Sequence, residues 1–112
     1  MKTCLTLPAL VAFLLLRAAS AHAAEAADNW GHNCAACHGK DGAGHTKAGK
    51  KLGVKDLTDS GTQKAFSDDV AFNDIKTGKK DKDGNDQMKP FADKLSDGDI
   101  KALVAYVRTL QK

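Results

Sequence analysis

Residues 34–38 read Cys34-Ala35-Ala36-Cys37-His38, and this pentapeptide decides the fold. Two cysteines three positions apart lie about one helical turn from each other, so both thiols face one side of the chain. That spacing, with histidine next, is the attachment pattern for a covalently held c-type haem. Cys34 and Cys37 would each add to a vinyl group along one edge of the porphyrin. His38 would then reach the iron from one face, since neutral imidazole is an ordinary proximal ligand for haem iron.

Other uses of Cys-x-x-Cys fit the chain less well. A structural zinc site needs four ligands in tetrahedral array. Cys4 is the one further cysteine, and none of His22, His32 and His45 stands at finger spacing from His38. A thioredoxin-like dithiol belongs beside a strand-helix-strand unit, and no strand pattern precedes Cys34. An incidental pair of thiols beside a histidine is the third alternative, and it weakens as the rest of the chain is read.

The N-terminus carries Lys2, an apolar run from Leu5 to Leu16, and small residues ending in Ala19-Ser20-Ala21 and Ala21-His22-Ala23. This is the pattern of a secretory signal peptide. The apolar run is short of the roughly 20 residues that cross a bilayer as a helix, and Arg17 follows it. We therefore expect residues 1–23 to be a cleaved leader, cut after Ala21 or Ala23, and residues 24–112 to be one domain in the periplasm. Cleavage removes Cys4, which leaves Cys34 and Cys37 as the thiols of the mature chain.

Charge has to be counted on the mature chain as well. The 17 bases of the full sequence lose Lys2 and Arg17, so fifteen face 14 acids. Two haem propionates would bring the total to about −1, so the +3 of the precursor is no sign of nucleic-acid binding. About 89 residues make one domain, near the size at which an apolar core alone is marginal. A buried, doubly attached haem would supply both a cross-link and apolar surface to pack against.

Cys-x-x-Cys-His occurs once, so one covalent haem c is expected. Ala26 to Cys37 reads as a short helix running into the attachment site. Residues 39–53 hold five of the ten glycines and read as a loop. Leu57 to Phe66 is ambiguous, with room for a single helical turn. Ser67-Asp68-Asp69-Val70 reads as a helix start, Ala71, Phe72 and Ile75 as its apolar face and Gly78 as its stop. Residues 79–87 read as a polar loop. Asp81-Lys82-Asp83-Gly84-Asn85 fails as a calcium loop, because Asp86 stands where glycine is needed and Ala92 where a bidentate glutamate is needed.

The last segment is a helix with Ser96 as N-cap and Asp99 as the capping-box acid. Ile100, Leu103, Val104, Val107 and Leu110 fall on one face of it. No period-two strand stands out, so the expected fold class is all-α.

The iron's second axial ligand decides between electron transfer, gas binding and catalysis. Met88 is the one methionine left after the leader, and Lys89-Pro90-Phe91 follows it. Pro90 fixes its own backbone and disfavours a helical Lys89, which holds the segment extended. His32 and His45 are the competing candidates; His32 is too close to Cys34 to reach the far face.

Over nearly all of its mature length the chain resembles the small class I c-type cytochromes of bacteria. The matches are Cys34-Ala35-Ala36-Cys37-His38-Gly39, the glycine-rich loop after it, Met88-Lys89-Pro90-Phe91 and Leu103-Val104-Ala105-Tyr106-Val107-Arg108. The resemblance implies about three to five helices around one covalent haem, with His38 and Met88 as the axial iron ligands. It also implies that the N- and C-terminal helices cross, with Trp30 meeting Tyr106 and the small Ala26 one turn earlier. Many relatives have a proline soon after the histidine whose carbonyl accepts from the ligand's other nitrogen. No proline lies between Gly39 and Lys89 here. Some carbonyl within Gly49 to Val54 would have to take that role.

The expected function is that of a periplasmic, non-enzymatic electron carrier, a monomer that docks transiently with redox donor and acceptor proteins, with Lys89 and Lys94 near the ligand loop. It has no membrane span after leader cleavage. The rival classes are a haem sensor or small peroxidase-like enzyme from which Met88 dissociates, and an electron-entry subunit of a larger oxidoreductase.

Overall fold

A computed structural model describes residues 21–112. The segment Leu5 to Leu16, and with it most of the expected leader, lies outside those residues. The described part of helix α1 covers residues 21–33. It is followed by α2 (Ala35–His38), α3 (Lys47–Leu52), α4 (Ser60–Lys64), α5 (Asp68–Thr77), a hairpin of β1 (Lys79–Lys80) and β2 (Asp86–Met88), and α6 (Asp97–Thr109). Among the described residues the fold is thus helical, as expected from sequence, with more and shorter helices than three to five. No helix among them is long and apolar enough to cross a membrane.

The two long C-terminal helices form where local signals are strongest. Ser67 caps α5 by accepting from the Val70 N–H at 3.2 Å, and Asp68 and Asp69 oppose the helix dipole in the first turn. Ser96 and Asp99 close a full capping box on α6: the Ser96 hydroxyl accepts from Asp99 N–H, and the Asp99 carboxylate accepts from Ser96 N–H. The Ser96 N–H, and after it the Ser96 hydroxyl, hold the Asp99 carboxyl below its ordinary range. The apolar faces of α5 and α6 then meet in a core of Trp30, Cys34, Ile75, Leu95, Ile100, Leu103, Val104 and Val107. Ile100 and Leu103 are the most completely buried, each worth about 1.5–3 kcal/mol by area removed from water.

Two elements depart from the sequence expectation. The glycine-rich stretch is not all loop, because α3 occupies Lys47–Leu52 behind an N-cap from Thr46 and ahead of a left-handed Gly53 at φ +67°. Residues 79–88 form a hairpin instead of a plain loop. Lys79 pairs with Met88 and Lys80 with Asp86, which leaves Gln87 as a bulge. The Asp81 carboxylate organises the tip by accepting from the N–H groups of Asp83 and Asn85, both at 2.9 Å. This is the turn chemistry of aspartate, and it accounts for the acid-rich segment without a cation.

A polar clamp joins α4, the start of α5 and α6. Gln63, 3% exposed, donates to the carbonyls of Leu57 (2.6 Å) and Val107 (2.9 Å). Its side-chain oxygen accepts from Arg108 at 2.9 Å. Arg108 further donates to the Gln63 and Phe66 carbonyls, pairs with Asp68 and stacks over the Phe66 ring at 4.4 Å. All polar atoms of the Gln63 side chain are thereby satisfied inside the core.

Ser96→Ala is expected to cost about 1 kcal/mol of unfolding free energy, measured by denaturant titration. The folded pKa of Asp99 lies below its unfolded value, so its contribution is complete above the ordinary carboxylate range and is lost as pH falls through the folded value. Asp99→Asn is therefore expected to be destabilising at neutral pH and nearly neutral in acid.

Candidate functional site

The pentapeptide sits at the junction of α1 and α2. Cys34 takes the turn between them, its N–H bonded to the Trp30 carbonyl at 3.0 Å. Its carbonyl then accepts from Cys37 N–H and His38 N–H at 3.2 and 2.9 Å. This helical turn brings the residues one turn apart together, with Cys34 buried and Cys37 half-buried, neither in a disulfide. Gly39, at φ +81°, ends the turn.

Helix α3 braces the turn from below. The Thr46 hydroxyl donates to the Cys37 carbonyl at 2.7 Å while accepting from Gly49 N–H at 2.8 Å. A side chain at position 49 would put its Cβ 2.8 Å from Thr46 Oγ1 and closer still to the carbonyls of Cys37 and Gly44. Gly49 is therefore inside a helix because backbone packs on backbone there, and the sequence reading took that glycine as a loop signal.

Met88, at the end of β2, is brought in by the C-terminus of α5. Phe91 N–H and Ala92 N–H donate to the Ile75 and Lys76 carbonyls at 3.0 and 3.2 Å. Gly78, at φ +78°, lies so close that a Cβ would be 2.7 Å from the Met88 carbonyl oxygen and 2.9 Å from Pro90 N. The strand and Pro90 together hold the segment extended, as the proline predicts.

These elements surround one cavity of about 400 Å³. Its walls are mostly apolar and include Trp30, Cys34, His38, Leu57, Phe66, Ile75, Met88 and Leu103. Three of the four expected site residues, Cys34, His38 and Met88, thus face the same space although 50 residues separate His38 from Met88 in number. Cys37 is beside it on the same helical turn. His32 and His45 are exposed and do not line it.

The electrostatics suit a haem site better than the rivals. Burial, and after it the neighbouring Cys37, pushes the Cys34 thiol up to about 11. A thiol so protonated is a poor redox nucleophile. Among the described residues no three His, Cys, Asp or Glu side chains converge as a metal site. Burial lowers the His38 pKa and keeps the imidazole neutral, the form that binds a metal. One expectation fails: no carbonyl between Gly49 and Val54 accepts from His38, whose buried Nδ1 has no hydrogen-bond partner. The Gly49 and Lys50 carbonyls close the cap of α3 instead, the Val54 N–H going to Gly49 O at 2.9 Å.

Trp30 and Tyr106 meet as expected of crossing terminal helices, their rings 5.5 Å apart and tilted by 43°, and Ala26 one turn earlier is 3% exposed. The sequence reading did not place Gln63, Arg108 or the second contact of Trp30, onto His38. Nothing local in the sequence signals these long-range pairs.

Two thiols and an imidazole on one helical turn, facing a methionine across an apolar cavity, define a protein of the c-type haem class. Comparison with known proteins agrees. A sequence model of the cytochrome c family matches residues 21–111, and the chain belongs to that family. Among solved structures it is similar to KustC0563 c-type cytochrome, at 32% identity and a TM-score of 0.68, over 77% of this chain and 96% of that one. No curated protein sequence matches. The cofactor of the family is covalent haem c, its chemistry is electron transfer, and its members act with redox partners.

Gly78→Ala is expected to lower stability by about 1–3 kcal/mol more than Gly84→Ala, measured by thermal unfolding. Both glycines have positive φ, but Gly84 has open space around it, so the difference isolates the contact with Met88 and Pro90.

Proposed function

We propose that this chain is a periplasmic carrier of single electrons with one haem attached through Cys34 and Cys37 and ligated by His38 and Met88. The observation that carries this reading is that Cys34, His38 and Met88 line one cavity. When bound, the haem supplies an iron that cycles between Fe(III) and Fe(II).

The chain's own residues do the rest. Cys34 and Cys37 fix one edge of the group by thioether bonds. His38 and Met88 would supply the two protein ligands of the iron, which leaves no position on it for a substrate. Leu57, Phe66, Ile75 and Leu103 exclude water from the faces, which disfavours the more highly charged oxidised state and raises the potential. Cys37 is half-buried and Cys34 buried, so an edge held by both would come nearest to solvent at Cys37.

Residues 1–23 act as the exported leader, cleaved after Ala21 or Ala23, and residues 24–112 work as a monomer. Its donor and acceptor dock transiently, with the exposed Lys89 and Lys94 beside the Met88 strand contributing to the encounter.

The oxidised holoprotein is expected to show the weak near-infrared band of methionine-to-iron charge transfer. Met88→Ala should abolish it and open the reduced iron to carbon monoxide, and Met88→His should lower the reduction potential. An unchanged spectrum and potential in both variants would remove Met88 from the iron. Rapid carbon monoxide binding by the unaltered protein would favour a sensor or peroxidase-like enzyme instead.

A further inference from the structure

Trp30 holds the attachment turn from both ends. Its main-chain carbonyl accepts from Cys34 N–H at 3.0 Å, and its indole Nε1 donates to the Gly39 carbonyl at 3.1 Å in a buried hydrogen bond. One residue of α1 thus fixes the backbone at the first residue of the pentapeptide and just past its last. The His38 main chain is secured between these points, its N–H on Cys34 O at 2.9 Å and its carbonyl on Gly44 N–H at 2.7 Å.

The imidazole itself is held differently. A metal-binding histidine ordinarily donates its second ring N–H to a carbonyl or carboxylate, which sets the plane of the ring. His38 Nδ1 is buried and has no such acceptor. Without one, the outer torsion of an imidazole is broad. What meets the ring is Trp30, its centroid 5.5 Å from that of the imidazole and the planes tilted by 40°. Trp30 is 4% exposed and is backed by Tyr106 on α6, so it has little room to yield.

We propose that Trp30 is the positioning residue that sets the plane of the His38 imidazole, through its ring face and its hydrogen bond to Gly39. This rests on His38 being the proximal ligand. In low-spin Fe(III) haem the imidazole plane, together with the orientation of the sulfur ligand, governs how unpaired spin spreads over the porphyrin. It is therefore read in the order and spread of the haem methyl proton resonances.

Trp30 is the one tryptophan of the chain. Biosynthetic replacement of tryptophan by benzothienylalanine thus removes the indole N–H at a single position while keeping the ring shape. The oxidised holoprotein carrying this analogue, and Trp30→Phe beside it, are both expected to keep a low-spin spectrum but change the order or spread of the methyl resonances. Ser96→Ala lowers stability without touching Trp30 and is expected to keep the original pattern. An unchanged pattern in both Trp30 replacements overturns the proposal, as does an equal change in Ser96→Ala, which would make the effect one of general loosening. A low-spin spectrum surviving in His38→Ala overturns it differently, by removing His38 from the iron.

Discussion

The apolar lining of one central cavity is the constraint on which the rest of this structure depends. A chain of this size has little core to spare, and Trp30, Ile75, Leu103 and Val107 serve both the core and the cavity wall. Covalent haem c therefore completes the packing of the domain as well as its chemistry. Thioethers from Cys34 and Cys37 would tie the group to the start of the chain's described part, and the hairpin and α5 supply cavity-lining residues from the other end, Met88 and Ile75 among them.

That geometry demands close backbone contacts, and two glycines make them. Gly49 lets α3 lie directly on the Cys37 carbonyl, and Gly78 lets the Met88 strand lie directly on the end of α5. Each contact places one half of the proposed ligand pair, the His38 turn in the first case and Met88 in the second. Gln63 and Arg108 perform a complementary task, joining α4, the start of α5 and α6 through side-chain bonds to the carbonyls of Val107 and Phe66 and to each other. The ion pairs on the surface, such as Lys76 with Asp97, add little beside these buried bonds.

Much of this was legible in the sequence because its signals are local. Ser67, Ser96 and Asp99 announce helix starts within four residues, and Cys34, Cys37 and His38 state their chemistry by spacing alone. Met88 stands out by elimination, as the one methionine besides Met1. Signals that depend on distant partners were not legible. Gly49 looks like a loop glycine until the Cys37 carbonyl is beside it, and strands of two and three residues are too short to show alternation. Gln63 sits in a polar stretch with no sign that its amide reaches Val107. The missing acceptor for His38 was visible as a missing proline, but its consequence, an imidazole steadied by packing against Trp30, needed the fold.

The account stands or falls on the iron having one nitrogen ligand from His38 and one sulfur ligand from Met88. X-ray absorption at the iron edge of the oxidised holoprotein measures this most directly. The expected first shell is five nitrogen scatterers, four from the porphyrin and one from His38, with a single sulfur. A shell of six nitrogens, or one with a position left to solvent, would contradict it.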